Sequence, residues 1–137
     1  IRESGLELVG MFQKEVAERV CASHGSKNYG ILSVLIQVYY DAEYLFTVPP
    51  HVFNPPPKVH SGVLRLKQRA EWPENLEYAA LKRLTKAAFN QRRKTLRNSL
   101  RAGGFDIDGI DAEILKLRPE QLPPLAFVKL TRQLTGQ

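Results

Sequence analysis

Eight cationic side chains and no acidic one lie between residues 80 and 101 of this 137-residue chain. Charged neighbours on a helix normally form pairs of opposite sign at i,i+4, and this stretch contains no acidic partner. Because eight like charges repel one another unless a polyanion neutralises them, the pattern favours contact with nucleic-acid phosphates over a merely solvated helix face. The cationic residues are Lys82, Arg83, Lys86, Arg92, Arg93, Lys94, Arg97 and Arg101.

The remaining reactive residue types indicate little chemistry. His24, His51 and His60 are scattered without metal-ligand spacing, so we expect no metal site. Cys21 has no base nearby in sequence, and we expect it to pack in the core. The sequence contains no glycine-rich phosphate loop and no serine-nucleophile motif. Taken alone, these residues predict an RNA- or DNA-binding module that is not a complete enzyme.

Composition narrows the class of protein. The chain is 43% hydrophobic and 25% charged, which is typical of a globular domain. No apolar run reaches the roughly 18 residues of a membrane helix, so we expect no membrane contact. A single cysteine excludes internal disulfides and favours a reducing, cytoplasmic compartment. Residues 1–4 lack the pattern of a signal peptide, and a first residue other than Met suggests a piece of a longer protein.

The charge is uneven along the chain. Residues 1–79 carry eight Lys and Arg against nine Asp and Glu, and residues 102–137 carry four against five. The formal net charge of +6 therefore comes entirely from residues 80–101, which makes this stretch the candidate electrostatic contact.

The first half of the chain predicts mixed helix and strand. Residues 8–13 form a short apolar run that fits a strand or a helix start, residues 16–21 a helix, and residues 31–40 an apolar segment for which length slightly favours helix. Residues 42–48 and 61–67 have the alternation of strands. The proline-rich residues 49–57 between them fit neither a helix nor a paired strand, so the two strands are expected to be antiparallel neighbours.

The second half predicts helices. Residues 68–75 have the composition of a linker, and Asn75 is expected to cap a helix over 76–90. Further helices are predicted over 95–100, stopped by Gly103 and Gly104, and over 110–117 and 125–134. About 65 residues are marginal for an independent core, so this helical module is expected to dock on the first half.

Four segments occur in an order that resembles a known family. They are MFQKEVAER at 11–19, YGILSV at 29–34, VFNPPPKVHS at 52–61 and FNQRRKTLRNSL at 89–100. Together they resemble the rRNA adenine N6,N6-dimethyltransferases of the KsgA/RsmA type, which modify two adjacent adenines near the 3′ end of small-subunit rRNA.

This resemblance implies an α/β fragment followed by a small all-α domain. Residues 1–70 would be the C-terminal part of a Rossmann-like methyltransferase domain with an antiparallel final strand, and residues 71–137 a helical rRNA-binding domain. The family's glycine-rich loop, acidic ribose-binding residue and Asn-Leu-Pro-Tyr catalytic motif do not occur in this chain. The full-length enzyme would therefore use S-adenosylmethionine, whereas we expect this chain alone to bind no cofactor, to contain no catalytic residue and to be inactive.

The resemblance also assigns a role to Phe53. In the family's F-x-P-x-P-x-V motif the aromatic ring stacks on the flipped-out target adenine, and the motif here is Phe53, Pro55, Pro57 and Val59. An extruded base needs an aromatic face to replace its lost stacking. From the residues alone, a core position is the favoured interpretation of Phe53, and the prolines also fit a ligand of an SH3-like partner.

For the basic stretch, the resemblance points to small-subunit rRNA and to a precursor of the small ribosomal subunit as partners. Arg92, Arg93, Lys94, Arg97 and Arg101 are the first choice for phosphate contacts, and the three cations before them the second. Some of the arginines are alternatively expected to tie the two domains together. A non-catalytic RNA-binding or ribosome-assembly module is the alternative function.

A sheet cut in half would leave an open edge and bare apolar faces, for example on 31–38, so the isolated chain is expected to self-associate.

Overall fold

The computed structural model describes residues 6–136, and residues 1–4, which were expected to hold no signal peptide, lie outside that range. Within residues 6–136, none of the helices combines the length and the hydropathy of a membrane-spanning segment. The elements follow one another as β1 (Glu7–Gln13), α1 (Lys14–Cys21), α2 (Ile31–Gln37), β2 (Tyr40–Val48), β3 (Ser61–Gln68), α3 (Tyr78–Asn90), α4 (Leu96–Ala102), α5 (Ala112–Leu115) and α6 (Pro124–Thr135), with 3-10 turns at Pro50–Val52 and Pro119–Gln121.

The three described strands form one sheet in the order β1-β3-β2. The central strand β3 is antiparallel to both neighbours, with Gln13 opposite Ser61 on one side and Val48 opposite Ser61 on the other. The prediction that β2 and β3 are antiparallel neighbours is therefore confirmed, and residues 8–13 are strand. Because β1 and β2 both oppose β3, they run parallel to each other.

One face of this sheet is covered and the other is bare. Helix α1 packs on the covered face, where Ala17 and Val20 form a small cluster with Leu64 of β3. On the opposite face, Val9 and Met11 of β1 are 59% and 51% exposed. The bare apolar surface thus belongs to the sheet.

Helix α2 is not the bare surface that was expected for residues 31–38. Val34 and Val38 are fully buried, because the helical second half packs over them. They share one hydrophobic core with Leu84 of α3, Leu100 of α4 and Phe127 of α6. The predicted docking of the helical module on the first half is confirmed by this shared core, while the boundary after residue 70 stays a prediction.

A β-bulge changes the predicted alternation in β2. Tyr44 lies opposite Leu64 and Phe46 lies opposite the adjacent Val63, so Leu45 is an extra residue in the ladder. Since neighbouring residues of β3 point to opposite faces, Tyr44 and Phe46 do so as well. The regular alternation predicted for residues 42–48 would place both on one face, which is wrong because the bulge reverses the alternation at this point.

Two helix boundaries also differ from prediction. Asn75 does not cap α3: its φ of 59° is left-handed, and Glu77 is the residue that precedes the helix. The helices predicted over 110–117 and 125–134 are both present, but α5 is confined to Ala112–Leu115. At its start, the side chain of Asp111 accepts a hydrogen bond of 2.8 Å from the Glu113 amide. Gly103 and Gly104 end α4 as predicted.

The segment between β3 and α3 is held firmly against the first half. The Arg69 guanidinium lies 3.0 Å from the Asp41 carboxylate and donates a 2.6 Å hydrogen bond to the Gln37 carbonyl. The Trp72 ring packs 5.0 Å from that of Tyr39. These contacts fix the start of the connecting segment against the first half.

Candidate nucleic-acid interface

The proline-rich loop leaves the sheet at the edge where α/β proteins bind their ligands. The carboxyl ends of the parallel strands β1 and β2 meet at one edge, and β3 begins there. In open α/β sheets, ligands bind outside the carboxyl ends of the strands. A hydrogen bond of 2.9 Å from the Lys14 amide to the His60 carbonyl oxygen joins the start of α1 to the end of the loop.

Phe53 is half-buried in this loop and belongs to neither described hydrophobic cluster. A 3-10 turn over Pro50–Val52 leads into it, and its amide donates a 3.2 Å hydrogen bond to the Pro50 carbonyl oxygen. A core residue would instead be packed within one of the two clusters. The ring is thus placed at the ligand-binding edge of the sheet, where its role as a stacking platform stays a prediction.

The motif residues that follow Phe53 are on the surface. Pro55, Pro57 and Val59 are all exposed, Val59 by 47%. Their exposure is compatible with a loop shaped by the fixed φ of proline and presented to a partner.

Two lysines that the sequence analysis did not single out lie beside this loop. Lys14 and Lys58 both line a shallow pocket of about 340 Å³ that also includes Val59 and His60. Both lysines are exposed. The available signal was their position, since one directly follows a strand at the ligand edge and the other lies inside the proline motif.

The basic stretch covers two helices and the turn between them. Lys82, Arg83 and Lys86 are on α3, Arg92, Arg93 and Lys94 are in the turn, and Arg97 and Arg101 are on α4. Six of the eight are exposed, and Arg92 and Arg97 are half-buried. Arg83 stacks 5.3 Å from the centroid of the Phe105 ring, which orients its guanidinium without neutralising it.

Arg92 differs from its neighbours because it joins the two halves of the chain. Its guanidinium donates a 3.1 Å hydrogen bond to the Lys27 carbonyl oxygen and lies 3.6 Å from the Glu120 carboxylate. It also lies 5.7 Å from the centroid of the Phe89 ring. The expectation that some arginine ties the domains together is met by this residue, whereas Arg93 and Lys94 point their charge to solvent.

The environment of Cys21 is that of a packed thiol and not of a nucleophile. The residue is partly buried against the small cluster under the sheet. Burial raises the pKa of the Cys21 thiol, and the nearby Glu43 carboxylate raises it further. A thiol that stays protonated is a poor nucleophile, which agrees with a packing role. Within residues 6–136, no three His, Cys, Asp or Glu side chains are grouped as metal ligands would be.

Comparison with known sequences places these features in a family. The profile of the ribosomal RNA adenine dimethylases matches residues 6–109. The chain is 52% identical over 136 residues to "Ribosomal RNA small subunit methyltransferase A" of Cytophaga hutchinsonii, covering 99% of this chain and 53% of that protein. It is 52% identical over 125 residues to the protein of the same name from Bacteroides thetaiotaomicron, covering 90% of this chain and 47% of the relative. The chain thus spans about half the length of the curated relatives it matches.

Solved structures agree on the fold. A dimethyladenosine transferase from Plasmodium falciparum superposes with a TM-score of 0.79 at 22% identity, over 95% of this chain and 57% of that one. The 23S rRNA methyltransferase ErmE gives a TM-score of 0.55 at 24% identity, over 94% of this chain and 55% of that one. In each comparison this chain matches little more than half of the solved chain. The expected α/β fragment, with its antiparallel last strand and following helices, is thereby confirmed. By its sequence match over most of its length, this chain belongs to the ribosomal RNA adenine dimethylase family.

Proposed function

We propose that this chain is the C-terminal half of an S-adenosylmethionine-dependent enzyme that dimethylates N6 of two adjacent adenines in small-subunit rRNA. In this proposal Phe53 stacks on the target adenine, and the exposed cations between residues 82 and 101 bind rRNA phosphates. The substrate is a precursor of the small ribosomal subunit, which places the reaction in the cytoplasm.

One observation carries the proposal: the Phe53 loop lies at the ligand-binding edge of the sheet within a chain of this family. The exocyclic amine of adenine is a poor nucleophile, since its lone pair is delocalised into the ring. An enzyme gains most by holding the amine in line with the methyl donor. A ring that stacks on the extruded base supports this orientation from one side.

We propose that the described residues do not hold S-adenosylmethionine. A cofactor cradle needs glycines where the backbone approaches the ligand, but the adjacent glycines here serve helix packing. A Cβ at Gly103 would meet the Ala87 Cβ at 2.7 Å, and Gly104 follows with a φ of +86° at the end of α4. When bound to the full-length enzyme, S-adenosylmethionine supplies the methyl group. We propose that the remaining half of the protein holds it and that this chain alone neither binds it nor transfers methyl groups.

The bare side of the sheet supports this division. Strand β1 is an edge strand in the described sheet, and Val9 and Met11 on its bare side are each more than half exposed. Apolar surface of this kind is normally covered by further structure. We propose that the other half of the full-length protein covers it.

The decisive experiment is methyl transfer by the full-length gene product. Small ribosomal subunits that lack the modification would be incubated with radiolabelled S-adenosylmethionine, and the rRNA digested to nucleosides. We expect labelled N6,N6-dimethyladenosine at two adjacent positions near the 3′ end. The present chain, assayed in parallel, should give none. Binding of the particles without any methyl transfer by the full-length product would instead favour a non-catalytic assembly module.

A further inference from the structure

A second cleft lies where the two halves of the chain meet, next to the pocket beside the Phe53 loop, with which it shares the lining residue Glu15. It has a volume of about 740 Å³ and is lined by residues of α1, α2, the loop between them, the end of α3 and the turn that follows α3. The pocket beside the Phe53 loop measures about 340 Å³. Clefts of roughly 300–1,000 Å³ are typical of small-ligand sites, so this one has room for a nucleotide.

The rim of the cleft is cationic. Arg19, Lys27 and Arg92 line it, together with one acid, Glu15. Glu15 pairs with Arg19 at 2.6 Å, and Arg92 is paired with an acid outside the cleft lining. Lys27 is exposed and forms no ion pair with any residue in the described range 6–136. Its ammonium group is therefore available to an anion.

Part of the cleft lining is apolar. Leu32 and Phe89 contribute to its lining, and Leu32 is 37% exposed although it is a large aliphatic residue. The guanidinium of Arg92 lies 5.7 Å from the centroid of the Phe89 ring and is fixed by its hydrogen bond to the Lys27 carbonyl. Unpaired RNA bases stack on aromatic rings and on guanidinium planes, so this wall has the chemistry that a base requires.

We propose that this cleft binds an unpaired nucleotide of the rRNA substrate, at a site distinct from the one that Phe53 provides. The base would lie against Leu32 and the Arg92–Phe89 wall, and its phosphate would contact Lys27. RNA is favoured over an acidic peptide because the exposed cations Arg93 and Lys94 follow Arg92 directly in the chain. A strand of phosphates bound by that turn would continue into the cleft. This inference rests on the proposed rRNA-binding function.

The test uses the full-length gene product and unmodified small ribosomal subunits, in filter binding over a salt series. Lys27→Gln should reduce the slope of log K against log salt by about one, since one phosphate contact is lost. The substitution leaves the backbone carbonyl that holds Arg92 in place. Lys129→Gln, at an exposed site on α6, is the matched control and should keep the wild-type slope. An unchanged slope in Lys27→Gln would overturn the proposal.

A second variant tests the apolar interior. Leu32→Ala should weaken binding about threefold while the salt slope stays constant, because apolar contact does not depend on counterion release. Unchanged affinity would contradict the proposal. A photoreactive amino acid at position 32 should crosslink to rRNA, whereas a crosslink to a ribosomal protein would show that the cleft takes a peptide.

The failure of this inference can be told apart from failure of the proposed function. The double variant Arg93→Ala with Lys94→Ala is measured in the same series. If it lowers the salt slope while Lys27→Gln does not, only the cleft proposal fails. If neither changes the slope, the rRNA-binding role of the basic stretch fails as well.

Discussion

The hydroxyl of Tyr29 donates a hydrogen bond of 2.6 Å to the carbonyl oxygen of Leu122, across the junction of the two halves. The Tyr29 side chain is fully buried, and its ring meets that of Phe89 edge to face at 6.0 Å. The adjacent loop adds a 2.6 Å hydrogen bond from the Gly25 amide to the Glu120 carbonyl oxygen. The segment after α1 therefore anchors the helical half, and with it the basic stretch, against the sheet.

Loss of the Tyr29 hydroxyl should destabilise the chain. Tyr29→Phe keeps the ring but leaves the buried Leu122 carbonyl without its donor, which typically costs about 1–3 kcal/mol. Urea unfolding should show this loss in the free energy of unfolding. Tyr78→Phe, at a site that is 49% exposed, is the control and should differ little from wild type. Equal stability of the two variants would contradict the anchoring role.

The same tyrosine predicts a loss of stability at high pH. Burial raises the pKa of Tyr29 above its usual value near 10, so the folded state keeps the phenol protonated. The stabilisation is fully present below pH ~10 and is lost as the pH rises from there towards the folded-state pKa. Burial also raises the pKa of Tyr39. Above pH ~10 the free energy of unfolding should therefore fall, with a limiting slope of about 1.4 kcal/mol per pH unit from Tyr29, and the fall should be shallower in Tyr29→Phe.

Substitution of Arg92 should lower the stability of the chain, whereas substitution of Arg93 and Lys94 should weaken rRNA binding. Arg92→Ala removes contacts to Lys27, Glu120 and Phe89, and we expect it to lower the free energy of unfolding by about 1 kcal/mol. Arg92→Lys keeps the charge but not the planar fork, so it should restore little of the loss. Arg93→Ala with Lys94→Ala should leave stability unchanged and lower the salt slope of rRNA binding by about two. Destabilisation by the double variant would show that these exposed cations are structural.

Phe53→Ala should separate binding from chemistry in the full-length enzyme. We expect methyl transfer to fall about 100-fold, because the target amine is no longer held in line. Binding to small ribosomal subunits should change little, since phosphate contacts dominate affinity. Phe53→Tyr keeps an aromatic face and should retain activity, and Val52→Ala, at the 56% exposed neighbour, is the matched control. A normal methylation rate in Phe53→Ala would exclude the stacking role.

The bare face of the sheet should cause the isolated chain to self-associate. Met11 is 51% exposed on edge strand β1, and Met11→Lys places a charge in that surface, which should favour the monomer. Sedimentation velocity over a concentration series measures the effect. Leu125→Lys, which adds the same charge at a 51% exposed site on α6, should not alter association. A wild-type chain that stays monomeric at high concentration would contradict this prediction.

Much of the fold was predictable from the sequence because its signals are local. Alternation over 42–48 and 61–67 identified β2 and β3, and the proline run between them marked their connection. The spacing of Leu81, Leu84 and Ala88 identified the buried side of α3. The family motifs located Phe53, which periodicity alone left open as a core residue.

The tertiary structure decided what depends on residues distant in the chain. The bulge at Leu45 is set by pairing with β3, and Asn75 is not the cap because α3 begins only after Glu77. Composition placed Arg92 among eight equivalent cations, but its partner Lys27 is 65 residues away in the chain. Arg92 holds the two halves together, whereas its exposed neighbours face solvent. This difference arises only when α1, α2 and α3 pack together, because burial and ion pairing are properties of the packed interface and not of the local sequence.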